Sequence, residues 1–418
     1  MAISYNLTFR KMNLSGRVLL EKEGEIVLHT RGFQLKGKGA YDKGELIHFS
    51  DIQSLSISDE ALEFTTFFQC RFSLVNFSNL FDQFLVDFTR VRNDFLIEAL
   101  FLKQGKLLKQ FDGHFERTDS KNVLVDDGVQ EKGKTKLRLY EQSLVLVPAC
   151  HEPIAFPFSF LKHYEFDEDE YTLKIENEDG VSVVISQLGN DFEFFEEQFN
   201  QALTVMYSEI LKQFQNFFLA HKPMTLVKVA NSMKYGKAVS MKELQKIDKD
   251  LAEAIEKAVF HDEIFLQTIE PLKKKLGPEN FFIGLSMLDG QKDHYFFSVM
   301  MAIPAQNILT CTIGSYDDDV RKVQDTYFFK LAERPEMASD SIAQRVLDLN
   351  EVLVLLHFAP DALYKDKKEL QKSLYKLAIK KLPFLERTRK MFLGRCPSIL
   401  PDLFERNFQK YVKGAQGL

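Results

Sequence analysis

Residues 70–102 read CRFSLVNFSNLFDQFLVDFTRVRNDFLIEALFL, and residues 181–214 read VSVVISQLGNDFEFFEEQFNQALTVMYSEILKQF. In the first stretch Leu74-Val75 close an alternating run, and Phe81, Phe84 and Phe88 open a helical one. Val183-Val184 and Phe192, Phe195 and Phe199 do the same in the second. Working outward, Ile26 and Leu28 match Leu137 and Leu139, and Phe33 and Leu35 match Leu144 and Leu146. Phe49-Ser50 matches Phe158-Ser159, and the acidic turn Asp59-Glu60 matches Glu168-Asp169. The offset stays near 110 residues throughout, so about Gly16 to Leu102 and about Lys134 to Ala220 are expected to be two copies of one small domain.

Each copy has the same internal order. In the first, GRVLLEKEGEIVLHTRGFQLKGKG and ELIHFSDIQSLSISDEALEFTTFFQCRFSLVNF alternate apolar and polar residues between turn signals, the pattern of half-buried antiparallel strands. Asn79 is placed to cap a helix. From there Phe81, Phe84, Leu85, Phe88, Phe95, Ala99 and Leu102 recur at helical spacing while Asp82, Asp87, Arg90, Asp94 and Glu98 fall elsewhere on the wheel, so one helix face is buried. The second copy runs KLRLYEQSLVLVPA, EPIAFPFSFLKHYEF, EYTLKIEN and VSVVISQL, with Glu178-Asp179-Gly180 as a hairpin turn and a closing helix from about Asn190 to His221. Between the copies, DGHFERTDSKNVLVDDGVQEKGKTK is polar and Gly-containing and reads as a linker with one short strand.

A run of curling strands closed by a single C-terminal amphipathic helix resembles the pleckstrin-homology-like (PH-like) superfold, over about 100 residues per copy. The resemblance implies two small antiparallel barrels, each plugged by its helix, and two uses. One is inositol-phosphate binding by a cationic loop, for which Arg31, Lys36, Lys38 and Lys43 are the candidates; the second copy has Pro148, His151 and Glu152 there instead. The other is recognition of peptides or proteins.

Beyond Pro223 the pattern turns helical. Ser240 and Glu243 form a capping box ahead of a helix through about Val259, and Asp262 to Leu276 reads as another, stopped by Gly277-Pro278. A third strand cluster follows (FFIGLSML, HYFFSVMMAI, NILTCTIGS, TYFFKLAE), then an apolar-periodic segment, Ser339 to Leu356. Strands then helix is again the order, so a divergent third copy is one reading of 278–360. The expected fold class is α+β multidomain. PH-like domains occupy 1–104 and 105–221, a helical connector 222–277, an antiparallel sheet plus helix 278–360, and a basic helical region 361–418.

Composition excludes several classes. Hydrophobic residues make up 45% and charged residues 27%, with 39 Phe and no Trp, which is a globular composition with Phe as core filler. From Asp361 onward 14 Lys and Arg face 6 Asp and Glu, a net of +8 that leaves −14 on the rest of the chain. The first 360 residues repel phosphates and the last stretch attracts them. Cys70, Cys150, Cys311 and Cys396 have neither disulfide nor zinc spacing, the opening MAISYNLTFRKMNL has no signal-peptide core, and the main apolar stretch, Tyr295 to Ala305, is too short to span a bilayer. A soluble, intracellular, cytoplasmic protein is expected.

Catalytic signatures are missing. His261-Asp262-Glu263 has no second His at helical spacing, Ser286 lacks the second glycine of a nucleophile elbow, and neither GxGxxG nor GxxxxGK[ST] occurs. The acidic runs Asp167 to Glu170 and Asp317 to Asp319 lack calcium-loop spacing and read as hairpin turns. No catalytic residue, metal site or cofactor is expected. Lys365, Lys367, Lys368, Lys372, Lys376, Lys380 and Lys381 form a near four-residue ladder with Leu370, Leu374, Leu377 and Ile379 between them, the pattern of a helix with one cationic and one apolar face. Such a helix suits an anionic membrane or nucleic acid. The acidic front half favours a protein partner, and a scaffold recognising one through its tandem domains is the primary expectation.

Overall fold

The computed structural model describes residues 3–39, 42–58, 60–119, 129–149, 151–260, 267, 269–270, 272–274, 276–287, 295–317, 320–358, 360–370, 375–397 and 401–416. The chain is α+β, with three antiparallel sheets, and divides within a helix into two compact units, Met1–Phe199 and Asn200–Leu418.

In the first unit, β1 (Ile3–Asn13), β2 (Val18–His29), β3 (Gly32–Gly37), β4 (Glu45–His48), β5 (Ile52–Ile57), β6 (Leu62–Thr66) and β7 (Cys70–Val75) form a sheet in the order β4-β3-β2-β1-β7-β6-β5. Central β1 pairs with β2 along Ile3–Met12 and with β7 along Thr8–Asn13, and the sheet curls into a half-barrel. Gly24 permits the bend, because a Cβ there would stand 1.8 Å from the Lys36 carbonyl oxygen.

The helix α1 (Phe81–Ala99) fills the open side. Phe84 and Phe88 are wholly buried, and their rings meet those of Tyr5, Phe77, Phe33 and Phe49 at centroid distances of 4.3–5.7 Å. Each buried ring contributes roughly 2–3 kcal/mol by area alone. The Phe-rich stretch is therefore the plug of the first core.

Seven more strands repeat the arrangement. They are β8 (Leu107–Asp119), β9 (Val129–Tyr140), β10 (Ser143–Pro148), β11 (Ile154–Pro157), β12 (Leu161–Asp167), β13 (Thr172–Asn177) and β14 (Val181–Ser186), in the order β11-β10-β9-β8-β14-β13-β12. The helix α2 (Phe192–Phe217) follows, with Phe195 and Phe199 wholly buried against Phe111 and Phe158. Gly180, at φ +85°, closes the β13–β14 hairpin with its N–H on the Asn177 carbonyl.

Several local expectations need correction. The segment read as a linker is mostly strand: β8 and β9 occupy both ends of it and are the centre of the second sheet. Among the described side chains of β8 only Phe111 and Phe115 are buried, on one face, so its polar face hid it. Asn79 caps nothing; it lies in a 3-10 turn over Ser78–Leu80, and the residue before α1 is Leu80.

α1 also has a second face. Arg92, 3% exposed, donates from Nη2 to Glu152 Oε1 at 2.8 Å, and Asn93 Nδ2 donates to the carbonyl oxygens of Pro148 (3.0 Å) and His151 (3.3 Å). Arg138 meets Asp94 at 2.7 Å, and Ile97 packs with Tyr140, Val145 and Val147. The second sheet's β10 is consequently buried on both faces, and the two halves belong to one compact unit.

The second unit holds the remainder of α2, then α3 (Pro223–Ser232), β15 (Val239–Ser240), α4 (Met241–Ile247), α5 (Lys249–Val259), β16 (Phe281–Met287), β17 (Tyr295–Ile303), β18 (Ile308–Asp317) and β19 (Val320–Lys330). They are followed by α6 (Ala338–Leu355), α7 (Asp361–Tyr364), α8 (Lys367–Leu370), α9 (Ala378–Lys381), α10 (Pro383–Met391), β20 (Phe392–Pro397) and α11 (Pro401–Gln416). The six strands lie in sequence order from β15 to β20. That simple meander differs from the order of the first two sheets, so 278–360 is not a third copy. The region beyond 361 is likewise not purely helical, since β20 completes this sheet along β19.

This sheet is covered on both faces. Tyr327 and Phe328, neighbours on β19, point opposite ways: Tyr327 stacks on Tyr364, and Phe328 meets Phe404 and Tyr411 of α11. Ser240 caps the helix as expected, its Oγ accepting the Glu243 N–H at 3.2 Å, while the Glu243 carboxylate accepts from the Ser240 hydroxyl at 3.1 Å. The helix it starts is shorter than expected, because Asp248 is extended and its carboxylate accepts the Leu251 N–H at 2.9 Å, beginning α5 afresh.

Candidate functional site

The two curled sheets each end in an edge strand: β5 in the first, β12 in the second. The strands correspond at an offset of 109 residues and their closing helices at 111. Both carry a register shift at the second residue. Leu55 and Ile57 therefore stand where Tyr164 and Phe166 stand, and Phe81 and Leu85 where Phe192 and Glu196 stand.

In the second sheet Tyr164 and Phe166 lean onto the flank of α2. Tyr164 meets Phe199 at 5.4 Å, and Phe166 meets Phe192 at 6.0 Å and Phe199 at 5.7 Å. Burial is incomplete: Tyr164 is 38% exposed. Beside them Tyr171, held at φ +51°, sets its ring 5.5 Å from Phe192 and is 58% exposed. A left-handed backbone at a tyrosine is uncommon and costs on the order of 1 kcal/mol.

In the first sheet Leu55, Ile57, Phe81 and Leu85 are all half-buried against one core. The β5 sequence, IQSLSI, contains no charge or proline to blunt its edge. The two edges differ in electrostatics. Residues 161–171 hold five carboxylates against Lys162 alone, and 191–200 hold four with no Lys or Arg. Asp167 Oδ1 accepts the N–H groups of Asp169 (3.0 Å) and Glu170 (2.9 Å), which shapes the turn.

The loop cations do not converge. Lys36, Lys38 and Lys43 lie at one end of β3 and Arg31 at the other, roughly 20 Å away for a six-residue strand. Lys38 meets Glu23 at 2.7 Å, Lys36 meets Glu25 at 3.9 Å, and neighbouring Lys22 meets Asp42 at 2.6 Å. The Lys22 ammonium, with the Gly44 N–H, holds the Asp42 carboxyl below its usual range. Lys22, Lys36 and Lys38 are therefore partnered by carboxylates.

The lysine ladder does not lie on one helix. Lys365 is the extended residue after α7, bound to Asp361 at 2.5 Å, and its carbonyl accepts Arg389 Nη2 at 2.6 Å. Lys367 and Lys368 fall in α8 and Lys380 and Lys381 in α9, with Lys376 in a turn between; the side chains of Lys367 and Lys368, and all of Lys372, lie outside the described residues. The extended backbone at Lys365 sets that residue apart, and the turn at 375–377 interrupts the periodicity that suggested an amphipathic rod.

His261, Asp262 and Glu263 also lie outside the described residues, as do Asp318 and Asp319. Ser286 faces Phe296 in the sheet and packs against Gly236, a structural position. Among the described residues no group of three or more His, Cys, Asp and Glu is placed to hold a metal ion, and no helix is long and apolar enough to cross a membrane. The aromatic edge escaped sequence reading, although its KHYEFDEDEY run carried the signal of aromatics set among acids.

No protein-family model and no curated protein matches the chain. Among solved structures, the crystal structure of the C-terminal domain of an unknown protein from Leishmania infantum is similar at 19% identity over 22% of this chain and 81% of that one, with a TM-score of 0.18. That score is too low to inform the fold.

Proposed function

We propose that this chain is a non-enzymatic scaffold of the cell interior whose first unit is a tandem of PH-like modules that recognise a protein partner at their sheet edges. The strand order, with the first strand central and one helix filling the open side, supports the PH-like reading. The observation that carries the binding role is the equivalence of β5 and β12. Both are edge strands with half-buried apolar side chains next to a helix flank, the arrangement on which an extended segment docks by adding a strand. Cys70, Cys311 and Cys396 are free thiols, which suits a reducing compartment.

Affinity capture from the source cells at high salt, using the parent chain and its Leu55→Lys and Phe166→Lys variants, tests the reading. A partner retained by the parent and lost from at least one folded variant is the expected result. Retention by both, with loss on Lys376→Glu/Lys380→Glu, would overturn it in favour of the C-terminal region.

A further inference from the structure

Resting on the reading that sheet edges are the docking sites, we infer that β12 and the adjoining flank of α2 take a basic, extended peptide segment in which Lys or Arg alternates with apolar residues. Side chains on a strand alternate in direction, so Tyr164 and Phe166 present one face toward α2 while His163, Glu165 and Asp167 present the other. An added strand would then set its apolar residues beside Tyr164, Phe166 and Tyr171, and its intervening residues beside the carboxylates.

Architecture does not demand all of this acidity, although Glu60 keeps an acid in the equivalent turn of the first sheet. The first sheet builds the equivalent edge with Ser56 where Glu165 stands and Leu85 where Glu196 stands. Some of the carboxylates have a structural reason: Asp167 ties the turn, Asp191 lies in the 3-10 turn leading into α2, and Glu193 lies in the first turn of α2, where the helix dipole favours an acid. Glu165 has His163 at 3.7 Å. Among the described residues no Lys or Arg lies within ion-pair reach of Glu168, Asp169, Glu170, Glu196 or Glu197. That surface repels nucleic acid and anionic lipid and draws a polycation, chiefly by speeding its encounter.

A displayed library of random dodecapeptides, panned on the full chain, tests the inference. Enriched peptides should carry Lys or Arg at alternate positions. A synthetic copy should slow amide exchange in 161–167 and bind about tenfold more weakly to Glu165→Lys/Asp169→Lys, with Glu165→Gln/Asp169→Asn giving a smaller loss in the same direction. Enrichment of uncharged or acidic peptides that still slow exchange in 161–167 would overturn the basic partner and leave the edge reading intact. If no enriched peptide slows exchange in either 161–167 or 52–57, the edge reading falls as well.

Discussion

Arg92 donates to Glu152 at 2.8 Å, and by that contact the helix that plugs the first sheet is fastened to the second. Burial pushes the Arg92 guanidinium below its ordinary range, and Glu152 pulls it back. The partners are unequal, since the Glu152 side chain is 42% exposed and that of Arg92 is 4%. Glu152→Ala leaves a buried donor unsatisfied and is expected to cost about 1–3 kcal/mol, a Tm decrease of several degrees. Arg92→Met leaves only a carboxylate that water can reach, and should cost less. Thermal denaturation of both variants checks the order, and the reverse order would contradict it.

Tyr5 ties the first strand to α1 through a 2.6 Å hydrogen bond to Asp87. Burial raises the Tyr5 phenol, and Asp87 adds to the rise, up to about 12. Burial also acts to raise Asp87, but hydrogen bonds from Tyr5, Gln83 and Arg90 outweigh it and hold the carboxyl below its ordinary value. The depressed acid stabilises the fold above the unfolded pKa, near 4, and loses that contribution as pH falls through its folded value. The raised phenol contributes fully below about 10 and loses its effect as pH rises through about 12. The Tm gap between the parent and Tyr5→Phe should be a few degrees between about pH 4 and 10 and close on either side. A gap that is constant with pH would show that the bond is not what separates them.

Asn350 grips the backbone of Ala238 with both ends of its amide: Oδ1 accepts the Ala238 N–H at 2.7 Å, and Nδ2 donates to its carbonyl at 3.0 Å. The site is buried, so Asn350→Leu strands two backbone groups and should cost the second unit about 2–4 kcal/mol in urea unfolding. Loss of less than about 0.5 kcal/mol would mean that the backbone finds other partners.

Much of the first unit was legible because Phe residues repeat at matching positions, and a Phe plug leaves the same trace wherever it recurs. The central strands β1 and β8 were harder to read, since β8 has just Phe111 and Phe115 on its buried face with Gly113 between them. Asn350, polar within an apolar helix, gives no sign of gripping the residue that leads into β15, 112 positions away. The lysine ladder misled because four-residue spacing implies a helix only where the backbone stays helical, and at Lys365 and across 375–377 it does not. The edge strands could not be read at all: which strand ends a sheet depends on pairings along the whole unit.

Amide hydrogen exchange on the full chain with its captured partner is the most direct measurement of where recognition occurs. Slowed exchange is expected in Ile52–Ile57, Leu161–Asp167 or both, together with the neighbouring turns of α1 and α2. Slowing confined to 361–397, with both edges unchanged, would contradict that expectation.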